Sequence, residues 1–305
     1  MNTLKQNHEA VLNDYPPCAT YKDGKLTGLR ITSSLIRELY FKEEYREPCA
    51  KRVYHNYLVG DIKNPPTKPM LYGNYFESRC LGHGREGYKT ESPLLKNGKK
   101  PVAVERIDMQ VHAFEMVAVN MGISTEFVQV KKSIPIDMGD RYKDIEILLE
   151  GVADIITPVH IKGFDYDLAG IDLKLAKDRD NVHGEYCWGA PQFLDPIQLV
   201  LYSYLFNIPF AYLVFDYKPQ DMGYRFIPVA TRAMEDDLPE EYKLLARQRE
   251  ASMKAMVKNT IEKIVMWDLE GYPVTANSKN CKGCPLNPAN NLGGTCKDVF
   301  IPQIM

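Results

Sequence analysis

The sequence lacks any apolar run of about 18 residues or more, the length needed to cross a bilayer. Its first ten residues, MNTLKQNHEA, contain no apolar stretch of the kind found in a secretory signal. We therefore expect no membrane association and a cytoplasmic location.

A strong excess of one charge is also missing, since the net charge is −2. Near-neutrality counts mildly against a nucleic-acid partner, although basic residues cluster at 97–101, 131–132 and 174–179.

A disulfide framework is not expected either. The seven cysteines are odd in number, the chain is 305 residues long, and no export signal accompanies them. Metal ligation is then the leading role for any cysteines that cluster. A hydrophobic fraction of 45% is ordinary for a globular protein, and the length suffices for one large domain or two smaller ones.

The periodicity of apolar residues predicts an α/β fold. Residues 1–30 are predicted to be an irregular lead-in, 31–270 a core with helical elaborations that begin with an N-terminal helix, and 271–305 a cysteine-bearing tail. One predicted helix begins at Ser33, and the others span 71–81, 107–121, 194–206 and 238–268. The predicted strands span 126–134, 143–150, 153–161, 167–175, 210–217 and 223–229. Together they indicate a central mixed sheet flanked by helices.

Two acids and a lysine lie within the mostly apolar predicted strands. Asp154 lies in one strand, and Asp172 and Lys174 lie two residues apart in the next, so their side chains share a face. Buried charges are costly unless they are paired or bind a ligand. Two carboxylates on adjacent strands suit Mg²⁺, which also takes water and phosphate oxygens. The alternative is an ion pair at a strand edge.

The helix after these strands carries two polar side chains. Gln198 and Tyr202 are four residues apart and therefore lie on one helix face. When buried, such groups need hydrogen-bond partners, which Lys174 or a substrate phosphate would supply. The alternative is a polar helix edge that faces solvent.

In order and spacing, Gly151-x-x-Asp154, Asp172-x-Lys174 and Gln198-x-x-x-Tyr202 resemble the RecB-like branch of the PD-(D/E)XK nuclease superfamily. Upstream, Gly73-x-x-x-Glu77 is similar to the family's Gly-x-x-x-His helix, with Glu77 where many members have His, and Ala153 stands where the superfamily has Pro. The resemblance implies a restriction-endonuclease-like core and a metal-dependent DNA exonuclease that acts in recombination, repair or phage DNA processing.

The same resemblance implies roles for individual residues. Mg²⁺ or Mn²⁺ would be held by Asp154, Asp172, the Leu173 carbonyl and Glu77. Lys174 would act on the nucleophilic water, and Gln198 and Tyr202 would orient the lysine or the phosphate. The implied substrate is single-stranded DNA or duplex ends, and homo-oligomers or a helicase or recombination partner are further expectations. The alternative is a nucleic-acid-binding or assembly module of the same fold with little activity.

Three cysteines cluster near the end of the sequence. Cys281 and Cys284 form a Cys-x-x-Cys pair, a spacing that suits one metal or cluster, and Cys296 follows. A closed site needs a fourth ligand, for which we predict Cys49, with Cys80 as the alternative. This pattern resembles the iron–sulfur members among CRISPR-associated RecB-like and AddB-type nucleases, which implies a [4Fe–4S] cluster. Zn²⁺ and free thiols are the other interpretations.

Overall fold

The structure is a computed structural model, and it describes the chain in several stretches. These are residues 17–40, 48–62, 66–82, 92–94, 97–184, 186–218, 222–275, 281, 284, 286–288 and 296. The predicted end of the first helix before Pro48 lies outside the described residues.

Strands and helices follow one another in small groups along the described residues. The strands are β1 (Ala19–Lys22), β2 (Lys25–Ile31), β3 (Phe127–Pro135), β4 (Glu146–Ile161), β5 (Phe164–Ala176), β6 (Phe210–Asp216) and β7 (Arg225–Pro228). The helices are α1 (Ser33–Tyr40), α2 (Ala50–Val53), α3 (Lys68–Leu81), α4 (Val102–Met121), α5 (Ile197–Phe206) and α6 (Glu240–Glu270), with a π-helical turn at Tyr54–Leu58 and short 3₁₀ turns at Asp140–Tyr142, Pro191–Phe193 and Arg232–Asp237.

The strands of the described residues form one seven-stranded sheet. Its order is β1-β2-β4-β5-β6-β7, and β3 pairs with β4. The β2–β4 and β5–β6 pairs are parallel, whereas β1–β2, β4–β5 and β6–β7 are antiparallel. The sheet is therefore mixed, and the predicted α/β class with helices flanking a central mixed sheet is confirmed.

None of the helices in the described residues combines the length and the apolar character needed to cross a lipid bilayer.

The described residues divide into two compact units. The first is drawn from Pro66–Lys132 and Gly151–Met253, and the second from Tyr15–Pro65, Ser133–Glu150 and Lys254–Met305. The predicted limits of the core at residues 31 and 270 stay a prediction.

The predicted irregular lead-in is wrong for its described part, because β1 and β2 form a hairpin there. Lys22 pairs with Lys25 across a two-residue turn, Asp23-Gly24. Both turn residues have positive φ, 52° and 73°. Asp-Gly is favoured in such type I′ turns because its residues tolerate positive φ, and the turn's twist matches that of the strands.

The two strands predicted at 143–150 and 153–161 are a single strand, β4. Gly151, expected to separate them, lies within the strand. A Cβ atom at Gly151 would stand 2.8 Å from atoms of both Tyr202 and Leu205. This glycine therefore makes room for α5 and does not interrupt the strand.

The core of the first unit lies on one face of the sheet. Ile171 and Leu173 of β5 belong to a buried apolar cluster that includes Phe76 of α3 and Phe114 of α4. Both of these rings pack against Phe215 of β6, at centroid distances of 5.4 and 6.2 Å. Since side chains alternate along a strand, Asp172 and Lys174 of β5 face away from Ile171 and Leu173.

A second glycine of the sheet, Gly170 of β5, is expected to contribute to stability. Gly170→Ala would place a Cβ atom 2.0 Å from a ring carbon of Phe210. We expect a loss of about 1–3 kcal/mol in the free energy of unfolding, as for other overpacked cores, measured by urea denaturation. The matched control is Gly73→Ala in α3, where a Cβ atom would meet no atom within 4 Å. An equal effect at both positions would contradict this packing.

Candidate active site

The first acid of the candidate site lies where the pairing of β4 with β5 ends. The paired residues run from Ile161 opposite Phe164 to Ile155 opposite Ile171, and Asp154 lies on β4 directly before Ile155. Asp154 is only 1% exposed. Its Oδ2 accepts a hydrogen bond of 2.9 Å from the backbone N–H of Leu173. The carboxylate thus bonds directly to the backbone of β5.

Asp172 and Lys174 form an ion pair on β5. Asp172 is 1% exposed, while the side chain of Lys174 is 25% exposed. Burial alone would lower the pKa of Lys174, but the negative charges of Asp172 and Asp154 outweigh it and raise this pKa above its usual value. Lys174 therefore carries a positive charge at neutral pH.

Helix α5 brings two polar side chains to this pair. Gln198 donates from Nε2 to Oδ1 of Asp172 at 2.8 Å and to the hydroxyl oxygen of Tyr202 at 3.3 Å. Burial raises the pKa of Tyr202 to about 12, and the charges of Asp172 and Asp154 contribute to the shift. The spacing of four residues on one helix face produces this contact. The predicted helix thus presents its polar pair to the acids and not to solvent.

The third acid comes from α3. This helix begins after Thr67, whose side chain caps it by accepting a hydrogen bond from the N–H of Met70 at 3.4 Å. Glu77 lies on its buried side and is 9% exposed. The Nε2 atom of Gln129, on β3, donates to Oε1 of Glu77 at 2.7 Å and to Oδ1 of Asp154 at 3.3 Å. One amide group therefore connects two carboxylates.

The charges in this acid cluster, defined as Glu77, Asp154, Asp172 and Lys174, do not balance formally. Three buried or nearly buried carboxylates face one ammonium group. Carboxylate oxygens are the ligands that a divalent cation such as Mg²⁺ prefers. Within the described residues, however, no three Cys, His, Asp or Glu side chains are gathered closely enough to hold a metal ion. The carboxylate oxygens suit such an ion chemically. In this structure they are bonded to the amide of Gln129 and the ammonium group of Lys174.

The structure brings the sequence-predicted residues together with two differences. Leu173 touches Asp154 through its N–H, whereas the predicted metal contact is its carbonyl. Glu77 joins the others through Gln129, a residue that the sequence analysis missed. The pattern Val128-Gln129-Val130 is an ordinary alternation for a strand, so the sequence offers no signal for it. The catalytic and ligand roles of these residues stay predictions.

The structure describes all four of the predicted cluster cysteines, and all four belong to the second unit. Cys49, at the N-cap of α2, and Cys284 are both buried. Burial is the main cause of a raised pKa for Cys284, and the nearby Cys49 adds to it. The N–H of Cys284 donates to the carbonyl of Cys281 at 3.3 Å, and that of Cys296 to Leu286 at 2.9 Å. These thiols are not assembled into a metal-binding group of three in the described part of the chain.

The alternative ligand, Cys80, lies on α3 in the first unit. Burial raises its pKa well above the usual range, and the charges of Glu115 and Glu77 add to this effect.

Comparisons with known proteins give two solved structures that align with most of the chain. A "Putative exonuclease" from Eubacterium rectale is 17% identical, over 76% of this chain and 88% of its own, with a TM-score of 0.42. A protein called SSO0001 is 14% identical, over 87% of this chain and 84% of its own, with a TM-score of 0.34. No protein-family model and no curated protein sequence matches the chain.

The ion pair between Asp172 and Lys174 can be tested by a double-mutant cycle in a metal-free buffer. We expect Lys174→Met to lower the free energy of unfolding by about 3 kcal/mol, because it leaves a buried carboxylate without its cation. Asp172→Asn in the same chain is expected to recover part of this loss, with a coupling energy of about 1–3 kcal/mol. Additive effects of the two substitutions in urea denaturation would show that the pair is not coupled.

Proposed function

We propose that the protein is a divalent-metal-dependent deoxyribonuclease, an exonuclease of the RecB-like type. The observation that carries this proposal is that Asp172 contacts Lys174 and Gln198, and Gln198 contacts Tyr202, while the buried Asp154 bonds to the backbone N–H of Leu173, between Asp172 and Lys174. A strand-edge ion pair would need neither the second buried acid nor the glutamine and tyrosine of α5. A site for phosphodiester hydrolysis uses all of them.

Asp154, Asp172, the Leu173 carbonyl and Glu77 would hold Mg²⁺ or Mn²⁺, which when bound polarises the scissile phosphate and makes an attacking water more acidic. The protonated Lys174 places a positive charge beside these carboxylates, where it stabilises negative charge that develops on the phosphate oxygens. It also donates hydrogen bonds that orient the water. Gln198 holds one oxygen of Asp172 at 2.8 Å and so fixes the direction of the other.

DNA is the proposed substrate, as single strands or duplex ends. Its phosphates carry the negative charge that basic side chains attract. Lys131 and Lys132 are exposed on β3, the strand that also carries Gln129 of the site. Linear single-stranded, linear double-stranded and circular DNA, compared in one assay, distinguish an exonuclease from an endonuclease.

The nuclease activity is tested with labelled DNA and Mn²⁺. Asp172→Ala and Lys174→Ala are each expected to slow cleavage by about 10²–10³-fold, the usual effect of losing a preorganised charge at a reacting centre. The matched control is Lys258→Ala, which removes an exposed lysine of α6. EDTA is expected to abolish cleavage by the wild-type protein.

Equal cleavage by the wild-type protein and both site variants would contradict the assignment of these residues. DNA binding without cleavage, unaffected by EDTA, would instead support the second function, a nucleic-acid-binding or assembly module of the same fold.

We also propose that Cys49, Cys281, Cys284 and Cys296 hold a structural [4Fe–4S] cluster, with Zn²⁺ as the alternative. Support comes from the Cys-x-x-Cys spacing of Cys281 and Cys284 and from the backbone hydrogen bonds of Cys284 to Cys281 and of Cys296 to Leu286. Such a cluster would attach the C-terminal segment to α2.

Metal analysis of anaerobically purified protein tests this site. We expect iron and sulfide, broad visible absorbance, and the loss of both in Cys281→Ala, while Cys187→Ala, which removes a buried cysteine of the first unit, keeps them. Stoichiometric zinc in a colourless protein would support the alternative. Protein free of either metal would contradict the site and leave the nuclease proposal standing.

A further inference from the structure

We propose that Gln129 is a positioning residue that holds Glu77 and Asp154 together as a pair of metal ligands. This inference rests on the proposed function. Its geometric basis is that a single nitrogen, Nε2 of Gln129, donates to Oε1 of Glu77 at 2.7 Å and to Oδ1 of Asp154 at 3.3 Å. The two acids come from a helix and a strand that are distant in sequence, and the amide spans both.

The neutrality of the amide suits this role. Two carboxylates that approach each other repel, and a lysine or arginine between them would relieve the repulsion but would also cancel the charge that attracts a cation. An amide N–H holds the oxygens by hydrogen bonds and leaves both negative charges in place. Each carboxylate has two oxygens with two lone pairs each, so the hydrogen bond from Gln129 does not by itself prevent metal coordination. Gln129 would therefore remain in place when the ion binds.

The backbone at Gln129 supports a specific role as well. Its φ is +50° within strand β3, a conformation that glutamine seldom adopts, because its Cβ crowds the backbone. Residues held in such conformations persist where the surrounding structure determines them, and they are frequent at functional sites. Here the unusual backbone accompanies a side chain that reaches two acids at once.

Hydrogen-bond partners of metal ligands usually contribute to metal affinity, and their loss costs about 10–100-fold. We expect Gln129→Ala to weaken Mn²⁺ binding by about this factor, measured by calorimetry without DNA. Cleavage by the variant is expected to need a correspondingly higher Mn²⁺ concentration and to approach the wild-type rate at saturation. The control is Gln248→Ala, the same substitution at an exposed position of α6, which is expected to bind Mn²⁺ like the wild type.

Gln129→Gly separates the amide from the backbone. Glycine adopts positive φ without strain, so this variant is expected to melt at a higher temperature than Gln129→Ala. Both variants lack the amide and are expected to share the same weakened Mn²⁺ affinity. Wild-type affinity in the glycine variant would assign the effect of Gln129→Ala to the backbone and overturn the proposal.

The remaining outcomes separate this inference from the proposed function. If the wild-type protein binds Mn²⁺ and cleaves DNA while Gln129→Ala binds Mn²⁺ equally well or more tightly, Gln129 does not position the ligands and the nuclease assignment stands. If the wild-type protein neither binds Mn²⁺ nor cleaves DNA, the nuclease assignment fails and the role of Gln129 as a metal-positioning residue fails with it.

Discussion

The site depends on the repulsion between carboxylates that the fold holds in a poorly hydrated place. Asp154 and Asp172 are almost fully buried and Glu77 nearly so, and burial strengthens electrostatic interactions of either sign. The protein offsets part of this repulsion with the ammonium group of Lys174 and part with neutral donors, the Leu173 N–H and the amides of Gln129 and Gln198. Under the proposed function, a bound divalent cation would offset the repulsion further.

The frame that keeps these acids in place is apolar and closely packed. On β5, Ile171 and Leu173 are fixed in the core formed with α3 and α4, so the alternating residues Asp172 and Lys174 have a defined direction. Gly151 lets α5 approach β4, because a side chain there would displace Tyr202. Packing on both strands thus determines the polar geometry.

Much of this site could be predicted from the sequence because its spacing follows from secondary structure. A separation of two residues places Asp172 and Lys174 on one face of a strand, and a separation of four places Gln198 and Tyr202 on one face of a helix. The mixed α/β fold followed from the same periodicities. The hairpin at Asp23-Gly24 also has a sequence signal, since this dipeptide favours a tight turn.

Other features could not be predicted in this way. Gly151 suggests a break between two strands, and only the three-dimensional packing of Tyr202 shows why the strand continues through it. The contact of Gln129 with Glu77 and Asp154 depends on a positive φ at Gln129 and on elements far apart in the chain. Neither condition leaves a trace in the local pattern of residues.

The most direct measurement of the role of these acids is the melting temperature of the DNA-free protein with and without Mn²⁺. An ion that binds only the folded state raises this temperature. We predict a rise for the wild-type protein and none for the double variant Asp154→Asn/Asp172→Asn, which keeps the shapes of both side chains and removes their charges. An equal rise in both proteins, or none in the wild type, would contradict a divalent-metal site at these carboxylates.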